Sequence, residues 1–258
     1  MHSTEEKLKA FERLLVVMDE LREKCPWDRE QTLESLRNLT IEETYELADA
    51  IIDQDLVEIR KELGDLMLHI VFYSKIGSEK GAFDVADVLN GICDKLVFRH
   101  PHVFGDRKVK DAVEVLENWE ELKMKEGNRS VLSGVPVSLP AMIKAHRIQD
   151  KVRAVGFDWD EREQVWDKVT EEIQEVKHEL TNGQEHEKME EEIGDLLFSV
   201  INAARLYNVE PETALERTNR KFMHRFKYLE SKAQKMNRSL KEMSLEEMEA
   251  IWQEAKSI

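Results

Sequence analysis

Apolar residues recur every three or four positions in four segments of the chain, with charged residues between them. In the first half they are Ile41, Tyr45, Ala48 and Ile52, then Ile59, Leu63, Leu66 and Ile70; in the second half they are Val169, Ile173, Val176 and Leu180, then Met189, Ile193, Leu196 and Val200. This spacing is typical of amphipathic helices, because successive helical turns place such residues on one face. Each half is therefore predicted to contain a helical hairpin packed on its apolar stripes.

Residues that break helices are scarce, with five prolines and ten glycines among 258 residues, and no alternating pattern is long enough to build a sheet. Thr40 and Glu43 have the spacing of a capping box at the start of the first helix. Further helices over residues 83–98 and 111–125 are expected to cover the first hairpin. The sequence predicts an all-α fold, with four-helix bundles completed by homodimerisation.

Residues 127–140 form the longest stretch that is unfavourable to helices, since they contain glycines, serines and prolines close together. We interpret this stretch as a linker. The predicted division is an N-terminal domain over residues 1–126 and a C-terminal domain over residues 141–258, each of ordinary domain size.

An acidic pattern, EExxE followed by ExGD, occurs at residues 42–46 and 62–65 and again at 171–175 and 192–195. Residues three apart lie on one face of a helix, so two packed helices can bring four carboxylates together. In the first half these are Glu43, Glu46, Glu62 and Asp65. Such a cluster implies either bound divalent cations or shifted pKa values, and oxygen ligands favour Mg²⁺, with Mn²⁺ as a substitute. About two ions would suit metal-assisted phosphate hydrolysis.

Each acidic pattern contains a glycine in the middle of a predicted helix, at Gly64 and Gly194. Such a glycine costs about 1 kcal/mol relative to alanine. A close approach of the two helices at the carboxylate cluster would explain it, and so would a packing requirement unrelated to metal.

A lysine and an arginine four residues apart follow each hairpin, as Lys95 with Arg99 and as Lys221 with Arg225. Either a phosphate between the two cations or salt bridges to nearby glutamates would explain this spacing. Each half also ends with a tryptophan, which either belongs to the core or stacks on a nucleobase with broad base tolerance.

The formal net charge of −16 disfavours nucleic acid polymers and anionic membranes as partners. Cys25 and Cys93 lack the spacing of a thiolate metal site, and no apolar run is long enough for a membrane span, so a cytoplasmic protein is expected. A P-loop motif is absent, and a di-iron site would need a second ExxH besides Glu175 with His178.

Several motifs together resemble the MazG nucleoside triphosphate pyrophosphohydrolases of the all-α NTP pyrophosphatase superfamily. They are the two acidic patterns, Cys25-Pro26-Trp27-Asp28, Arg99-His100-Pro101-His102-Val103-Phe104-Gly105-Asp106, Gly156-Phe157-Asp158-Trp159 and Asn219-Arg220-Lys221-Phe222. The resemblance implies tandem MazG domains, a homodimer and Mg²⁺-dependent hydrolysis of nucleoside triphosphates such as ATP to monophosphate and pyrophosphate. Nucleotide-pool house-cleaning is a role associated with relatives.

The resemblance also implies which residues form the C-terminal site. The metal ligands are Glu172, Glu175, Glu192 and Asp195. The nucleotide-binding residues are Lys168, Glu171, Glu172, Lys188, Lys221, Arg225 and Trp252. The catalytic residues are Glu171, Glu172, Glu175, Lys221 and Arg225, and both Glu171 and Glu175 are candidates for the general base.

The two halves differ at positions that bear on activity. Glu58 stands where the second half has Lys188, and His69 stands where it has Ser199. The C-terminal site is therefore expected to carry most of the activity. A non-catalytic acidic helical module that binds a protein partner is the rival hypothesis; it predicts no metal-dependent nucleotide turnover.

Overall fold

The computed structural model describes residues 1–111, 114–115, 118–119, 122, 130–159, 161–182 and 185–256. The chain divides into two compact units, Met1–Trp119 and Glu120–Ile258. All regular structure in the described ranges is helical, as predicted, with no strand among them. Most of the predicted helix over 111–125 and the start of the predicted linker, residues 127–129, lie outside the described residues.

The first unit consists of six described helices that begin with a long N-terminal helix. They are α1 Thr4–Lys24, α2 Pro26–Glu30, α3 Leu33–Asp53, α4 Leu56–Glu79, α5 Val85–Arg99 and α6 Pro101–Phe104. Helices α3 and α4 form the first predicted hairpin, and α1 packs against α4. The turn between α3 and α4 is short because Gln54 adopts a left-handed conformation and the Asp55 carboxylate caps α4.

The predicted cap at Thr40 is wrong. Helix α3 begins earlier, where the Thr32 hydroxyl accepts a hydrogen bond from the Ser35 N–H and the Ser35 hydroxyl accepts one from the Thr32 N–H. Thr40 lies inside the helix, and its hydroxyl contacts the Leu36 carbonyl oxygen at 3.0 Å and the Tyr73 hydroxyl at 2.6 Å. The cap therefore forms at Thr32, which directly precedes the complete helix.

The second unit repeats the hairpin and adds a long helix after it. Its described helices are α7 Ala141–Arg153, α8 Val165–Asn182, α9 His186–Leu206, α10 Pro211–Lys235 and α11 Leu245–Ala255, with short 3₁₀ segments at Arg162–Gln164 and Leu240–Glu242. Helices α8 and α9 form the second predicted hairpin. Helix α7 packs against α9 and α10, and α10 packs against α11.

The apolar stripes do not pack as predicted, because much of each stripe is exposed within its unit. The exposed members are Ile41, Tyr45, Leu63, Ile70, Ile173, Leu180, Ile193 and Val200. The core of the first unit is built instead from Met18, Leu36, Val71, Phe72 and Ile76, and that of the second from Val165, Val169 and Ala203. Glu62 and Glu172 lie on the buried faces of the hairpins, whereas the exposed stripe residues form an apolar face that is left uncovered within each unit.

Candidate active site

Three carboxylates meet in each hairpin. In the second unit, Glu172 on α8 meets Glu192 and Asp195 on α9, and one oxygen from each lies within 4.8 Å of the others. In the first unit, Glu43 on α3 meets Glu62 and Asp65 on α4 at the same spacing. We call these the C-terminal and N-terminal carboxylate clusters. The two clusters are equivalent positions of the sequence repeat, because in each one a glutamate of the first helix faces the glutamate and aspartate of the ExGD motif on the second helix.

The clusters contain three of the four metal ligands predicted in each half. Glu46 and Glu175 are exposed and lie outside the groups that the structure brings together. Glu175 is nevertheless close enough to interact with the cluster: its pKa is raised by desolvation and by the charges of Glu172 and Glu192. Glu175 therefore lies near the cluster without belonging to it.

One glutamate of each cluster is buried with an unsatisfied oxygen. Glu172 is 4% exposed, and its Oε1 accepts from Lys168 Nζ at 2.7 Å, whereas Oε2 has no hydrogen-bond partner among the described residues. In the first unit, Glu62 Oε1 accepts from Lys61 Nζ at 2.9 Å, and Oε2 likewise lacks a partner in the described part of the chain. A buried carboxylate oxygen without a partner is costly. A bound cation would satisfy it.

Electrostatic repulsion within each cluster also favours a bound cation. Desolvation raises the pKa of Glu192, and the neighbouring charges of Asp195 and Glu172 raise it further. The pKa of Glu43 is raised for the same reasons, first by desolvation and then by its acidic neighbours. Deprotonation of such a cluster is favoured when a divalent cation compensates the negative charges. The oxygen donors therefore fit a hard divalent ion such as Mg²⁺ or Mn²⁺.

The lysine beside the C-terminal cluster lies on the first helix of its hairpin, whereas the lysine beside the N-terminal cluster lies on the second. Lys168 lies on α8, where it binds both Glu172 and, at 2.9 Å, Glu171, and these carboxylates raise its pKa. Lys61 lies on α4 of the first unit and binds Glu62. Lys188, predicted to contact the nucleotide, forms an ion pair with Glu185 at 3.1 Å. The two sites are therefore similar in their carboxylates and different in the position of their cations.

The arginine that follows each hairpin contacts the tryptophan that ends the same half of the chain. Arg225 on α10 lies with its guanidinium carbon 6.0 Å from the ring centre of Trp252 on α11, and Phe222 packs against the same ring at 4.9 Å. In the first unit, Arg99 lies 5.4 Å from the ring centre of Trp119. Each arginine thus packs on the tryptophan that ends its repeat. Both functional and structural roles for this pair agree with the contact.

A cavity of about 740 Å³ opens beside the C-terminal carboxylate cluster. Its lining residues are Ile148, Gln149, Val152, Gly156, Phe157, Asp158, Trp159, Val165, Lys168, Glu172, Asp195, Phe198, Ser199, Asn202 and Arg205. Of the predicted nucleotide-binding residues, Lys168 and Glu172 line it. Lys188, Lys221, Arg225 and Trp252 are not part of its wall.

Sequence reasoning missed most of this wall. The Gly156–Trp159 segment was noticed only as a motif, and Gln149, Asn202 and Arg205 carried no recognised pattern. Arg205 is 5% exposed and donates two hydrogen bonds to the Asp158 carboxylate. Desolvation is the largest single effect and would raise the pKa of Asp158, but the hydrogen bonds from Arg205 and the Trp159 backbone, together with the charges of Arg205 and Arg153, outweigh it and the pKa is lowered. The only available sequence signal was an arginine near the end of an amphipathic helix.

Comparison with known proteins decides the family. The model of the MazG nucleotide pyrophosphohydrolase domain matches twice, at residues 31–104 and 161–229, and so covers both hairpins. The chain belongs to the MazG family. Its two hairpins are tandem MazG domains, as the motifs predicted, and the prediction of a hydrolase acting on acid anhydrides is confirmed by this membership.

Named relatives align along almost the whole MazG chain. A nucleoside triphosphate pyrophosphohydrolase of Escherichia coli (strain K12) is 42% identical over 95% of this chain and 97% of its own length. The nucleoside triphosphate pyrophosphohydrolase/pyrophosphatase MazG of Thermotoga maritima is 41% identical, over 95% of both chains. A crystal structure of a MazG-related protein from Thermotoga maritima, 26% identical, covers 44% of this chain and 98% of its own, with a TM-score of 0.40.

None of the described helices combines the length and the apolar character that crossing a bilayer requires.

Proposed function

We propose that this MazG protein hydrolyses nucleoside triphosphates and deoxynucleoside triphosphates to the monophosphate and pyrophosphate, with Mg²⁺ as cofactor and the C-terminal unit as the main catalytic site. The names of two relatives that align along nearly the whole chain support this activity. The carboxylate cluster supports the assignment to the C-terminal unit, because Glu172, whose Oε2 is unsatisfied among the described residues, lines a cavity large enough for a small ligand. Cytoplasmic house-cleaning of the nucleotide pool is the proposed role.

In this proposal Glu172, Glu192 and Asp195 hold Mg²⁺, and Glu175 joins them. Bound Mg²⁺ neutralises phosphate charge and lowers the pKa of a coordinated water. Whichever of Glu171 and Glu175 is not fully committed to the metal accepts the proton of the attacking water. The Lys168 ammonium already lies between Glu171 and Glu172, where it can meet a substrate phosphate.

Lys221 and Arg225 are proposed to bind the part of the triphosphate that leaves as pyrophosphate. Both lie on α10, one helical turn apart, so their charges face the same side of the helix. The packing of Arg225 on Trp252 limits the conformations of its guanidinium group. An arginine held in this way loses less entropy when it binds phosphate oxygens.

The N-terminal cluster is proposed to bind metal weakly or to serve the assembly of the protein. It has the same three carboxylates, but Glu58 replaces the cation of Lys188 and lies 3.5 Å from Lys61. A triphosphate would meet an additional negative charge there. His69, buried on the same helix, has its pKa lowered by desolvation, so it does not supply a compensating cation at neutral pH.

A pyrophosphate-release assay tests the activity and the asymmetry. Purified protein is assayed with a panel of nucleoside and deoxynucleoside triphosphates and Mg²⁺, with and without EDTA. Glu172→Gln is expected to lower turnover at least a hundredfold, whereas Glu43→Gln should change it less than threefold. Glu190→Gln, an exposed neighbour on α9, is the matched control. Equal losses in the first two variants would disprove the asymmetry, and no EDTA-sensitive turnover would favour the interaction module.

We also propose that two chains pair through the exposed apolar faces of the hairpins. Leu63 and Met67 on α4, and Ile193 and Leu197 on α9, are between 41% and 53% exposed. A close approach of the two helices, one of the two explanations offered for the glycines, is not seen among the described residues: outside the helix's own backbone, a Cβ built at Gly64 or at Gly194 meets none of their atoms within 4 Å. A second copy packed on this face would account for both the uncovered apolar surface and the glycines.

A further inference from the structure

The two units differ in how the chain continues after the arginine that packs on the terminal tryptophan. In the second unit Arg225 lies inside α10, which continues well beyond it. In the first unit α5 ends at Arg99, because Pro101 lacks an N–H and disfavours a helical conformation at His100. Residues 100–106 therefore leave the axis of α5 and pass through the short helix α6. The second unit has no such segment beside its arginine.

The start of this segment packs on Trp119. The His100 ring lies edge-on to the Trp119 ring, with 4.9 Å between the ring centres, and the His102 ring centre lies 5.5 Å from that of His100. His100 Nδ1 donates to the Leu96 carbonyl oxygen at 2.6 Å, since a carbonyl oxygen can only accept. The Arg99 guanidinium carbon lies 5.4 Å from the centre of the same tryptophan ring. One tryptophan thus holds a cationic side chain and the segment that follows it.

Asn118, the residue before this tryptophan, has an unsatisfied donor. It is 6% exposed, and its Oδ1 accepts a hydrogen bond from Arg107 Nη2. A guanidinium group can only donate, so this bond fixes the orientation of the amide and leaves Nδ2 as the remaining atom. Nδ2 is buried and has no hydrogen-bond partner among the described residues. A buried donor of this kind calls for an acceptor. In the second half of the chain Ile251 precedes the tryptophan, so this donor belongs to the first unit alone.

The charge around this donor is opposite to that of the protein. Residues 95–110 contain five basic side chains and one acidic side chain, whereas the whole chain has a formal net charge of −16. Arg99 and Arg107 contact consecutive residues, so both guanidinium groups lie on the same part of the unit. Guanidinium groups bind the oxygens of a phosphate in a bidentate manner. Two of them beside an unsatisfied N–H donor therefore match an oxyanion.

We propose that Arg107 and Asn118 Nδ2, together with Arg99, bind a phosphate group in the first unit. We call this the Asn118 site. Its ligand is a phosphate anion, either inorganic or carried by a nucleotide. Arg107 is exposed, so the ligand can approach from its side. None of these residues belongs to a carboxylate cluster, and their own charges compensate the anion, so binding requires no metal. The inference goes beyond the proposed function, which assigns no phosphate site to this unit.

The test is a titration of the full chain, labelled with 5-fluorotryptophan, with inorganic pyrophosphate in the presence of EDTA. Fluorine NMR then follows each tryptophan separately. The Trp119 resonance, assigned with Trp119→Phe, reports on the Asn118 site, and the Trp252 resonance, assigned with Trp252→Phe, reports on the second unit. The Trp119 resonance should shift and reach saturation. Sodium chloride at the same ionic strength should not reproduce this shift; if it does, the effect is charge screening and the proposal is overturned.

Two pairs of variants identify the residues that bind the anion. Asn118→Asp keeps the acceptor for Arg107 and replaces the N–H donor by an oxygen that repels an anion, so it should weaken pyrophosphate binding at least tenfold. Asn90→Asp, on the exposed surface of α5, makes the same change in charge and should alter the Kd less than twofold. Arg107→Gln should weaken binding at least fivefold. Arg13→Gln, which changes an exposed arginine of α1, is its control and should alter the Kd less than twofold.

The outcomes separate this inference from the proposed function, because the titration contains neither metal nor turnover. A Trp119 resonance that does not move, or that moves equally in wild-type protein and Asn118→Asp, overturns the Asn118 site. If pyrophosphate moves only the Trp252 resonance, the inference fails and the proposed function is unaffected. If Asn118→Asp does not fold, an unchanged Kd in Arg107→Gln overturns the proposal by itself.

Titrations with orthophosphate and with AMP distinguish the two sources of the phosphate group. A lower Kd for AMP supports the site with a nucleotide as its ligand. Equal Kd values for the two support it with an inorganic phosphate as its ligand, because the nucleoside then adds no contact.

Discussion

Replacement of Lys168 by methionine should destabilise the metal-free protein, and Mg²⁺ should reverse the effect. The Lys168 ammonium lies 2.7 Å from Glu172 Oε1 and is the only cation that the structure places on this carboxylate within the described residues. Without it, a carboxylate that is 4% exposed would be buried next to Glu192 and Asp195 with no positive partner. A bound divalent ion would restore that partner.

The magnitude follows from the geometry. Two unit charges 2.7 Å apart attract by about 1.5 kcal/mol in water-like surroundings and by about 6 kcal/mol at an effective dielectric constant of 20. The Lys168 side chain is 39% exposed, so solvent screening places the loss near the lower value. We expect a free energy of unfolding lower by about 2 kcal/mol in EDTA. For a unit of this size that corresponds to a Tm lower by about 4–8 °C.

Differential scanning calorimetry of the full chain in EDTA and in saturating Mg²⁺ measures this difference. Lys177→Met, which changes an exposed lysine on the same helix, is the control and should shift the Tm by less than 2 °C in either condition. With Mg²⁺, the deficit of Lys168→Met should fall to less than half. A deficit that is equal with and without Mg²⁺ would refute the idea that the cation takes over the role of Lys168. No deficit in EDTA would show that the ion pair contributes nothing.

Three further outcomes are expected. Metal affinity, measured by calorimetric titration with Mn²⁺, should fall as the pH is lowered from 7.5 to 5. Protons compete with the metal for the Glu192 carboxylate, and the raised pKa of Glu192 extends this competition to higher pH. The Glu192→Gln variant should therefore show a smaller pH dependence. Arg205→Met should lower the free energy of unfolding by about 3 kcal/mol in urea titrations, since it leaves the partly buried Asp158 carboxylate without its main partner. That loss should shrink as the pH falls and disappear below the lowered pKa of Asp158 in the wild-type protein, because protonation of Asp158 removes the charge that Arg205 stabilises. Leu197→Arg should convert the proposed dimer to a monomer in light scattering, and unchanged mass would contradict the interface.

Local signals in the sequence predicted the helices well and their packing partly. The hairpins α3–α4 and α8–α9 appear where the apolar spacing placed them. The same spacing did not identify the buried face, because a helix with a wide apolar surface has two sides that can be covered. In α4, Glu62 is buried and Leu63 is 52% exposed, which reverses the expectation for an isolated amphipathic helix. Which side is covered depends on the neighbours α1 and α3.

The sequence predicted the carboxylates of the candidate site but not the other residues around them. Repetition marked Glu172, Glu192 and Asp195, since two copies of one acidic pattern imply a shared structural role. Gln149 gave no such signal, because a glutamine in an amphipathic helix is ordinary until its surroundings are known. Its place in the wall of the cavity is visible only in the folded chain.

The sequence alone determined the all-α architecture, the duplication, the residues of the acidic clusters and the family, because helical periodicity, charge and motif spacing are written along the chain. Tertiary structure decided which carboxylates meet, which lysine neutralises them and which residues enclose the cavity beside them. These depend on distances between α7, α8 and α9, which are separate in sequence, and on the loss of solvent around Glu172 and Gln149. Only the folded chain brings these groups together, and desolvation there makes an unsatisfied oxygen costly enough to require a ligand.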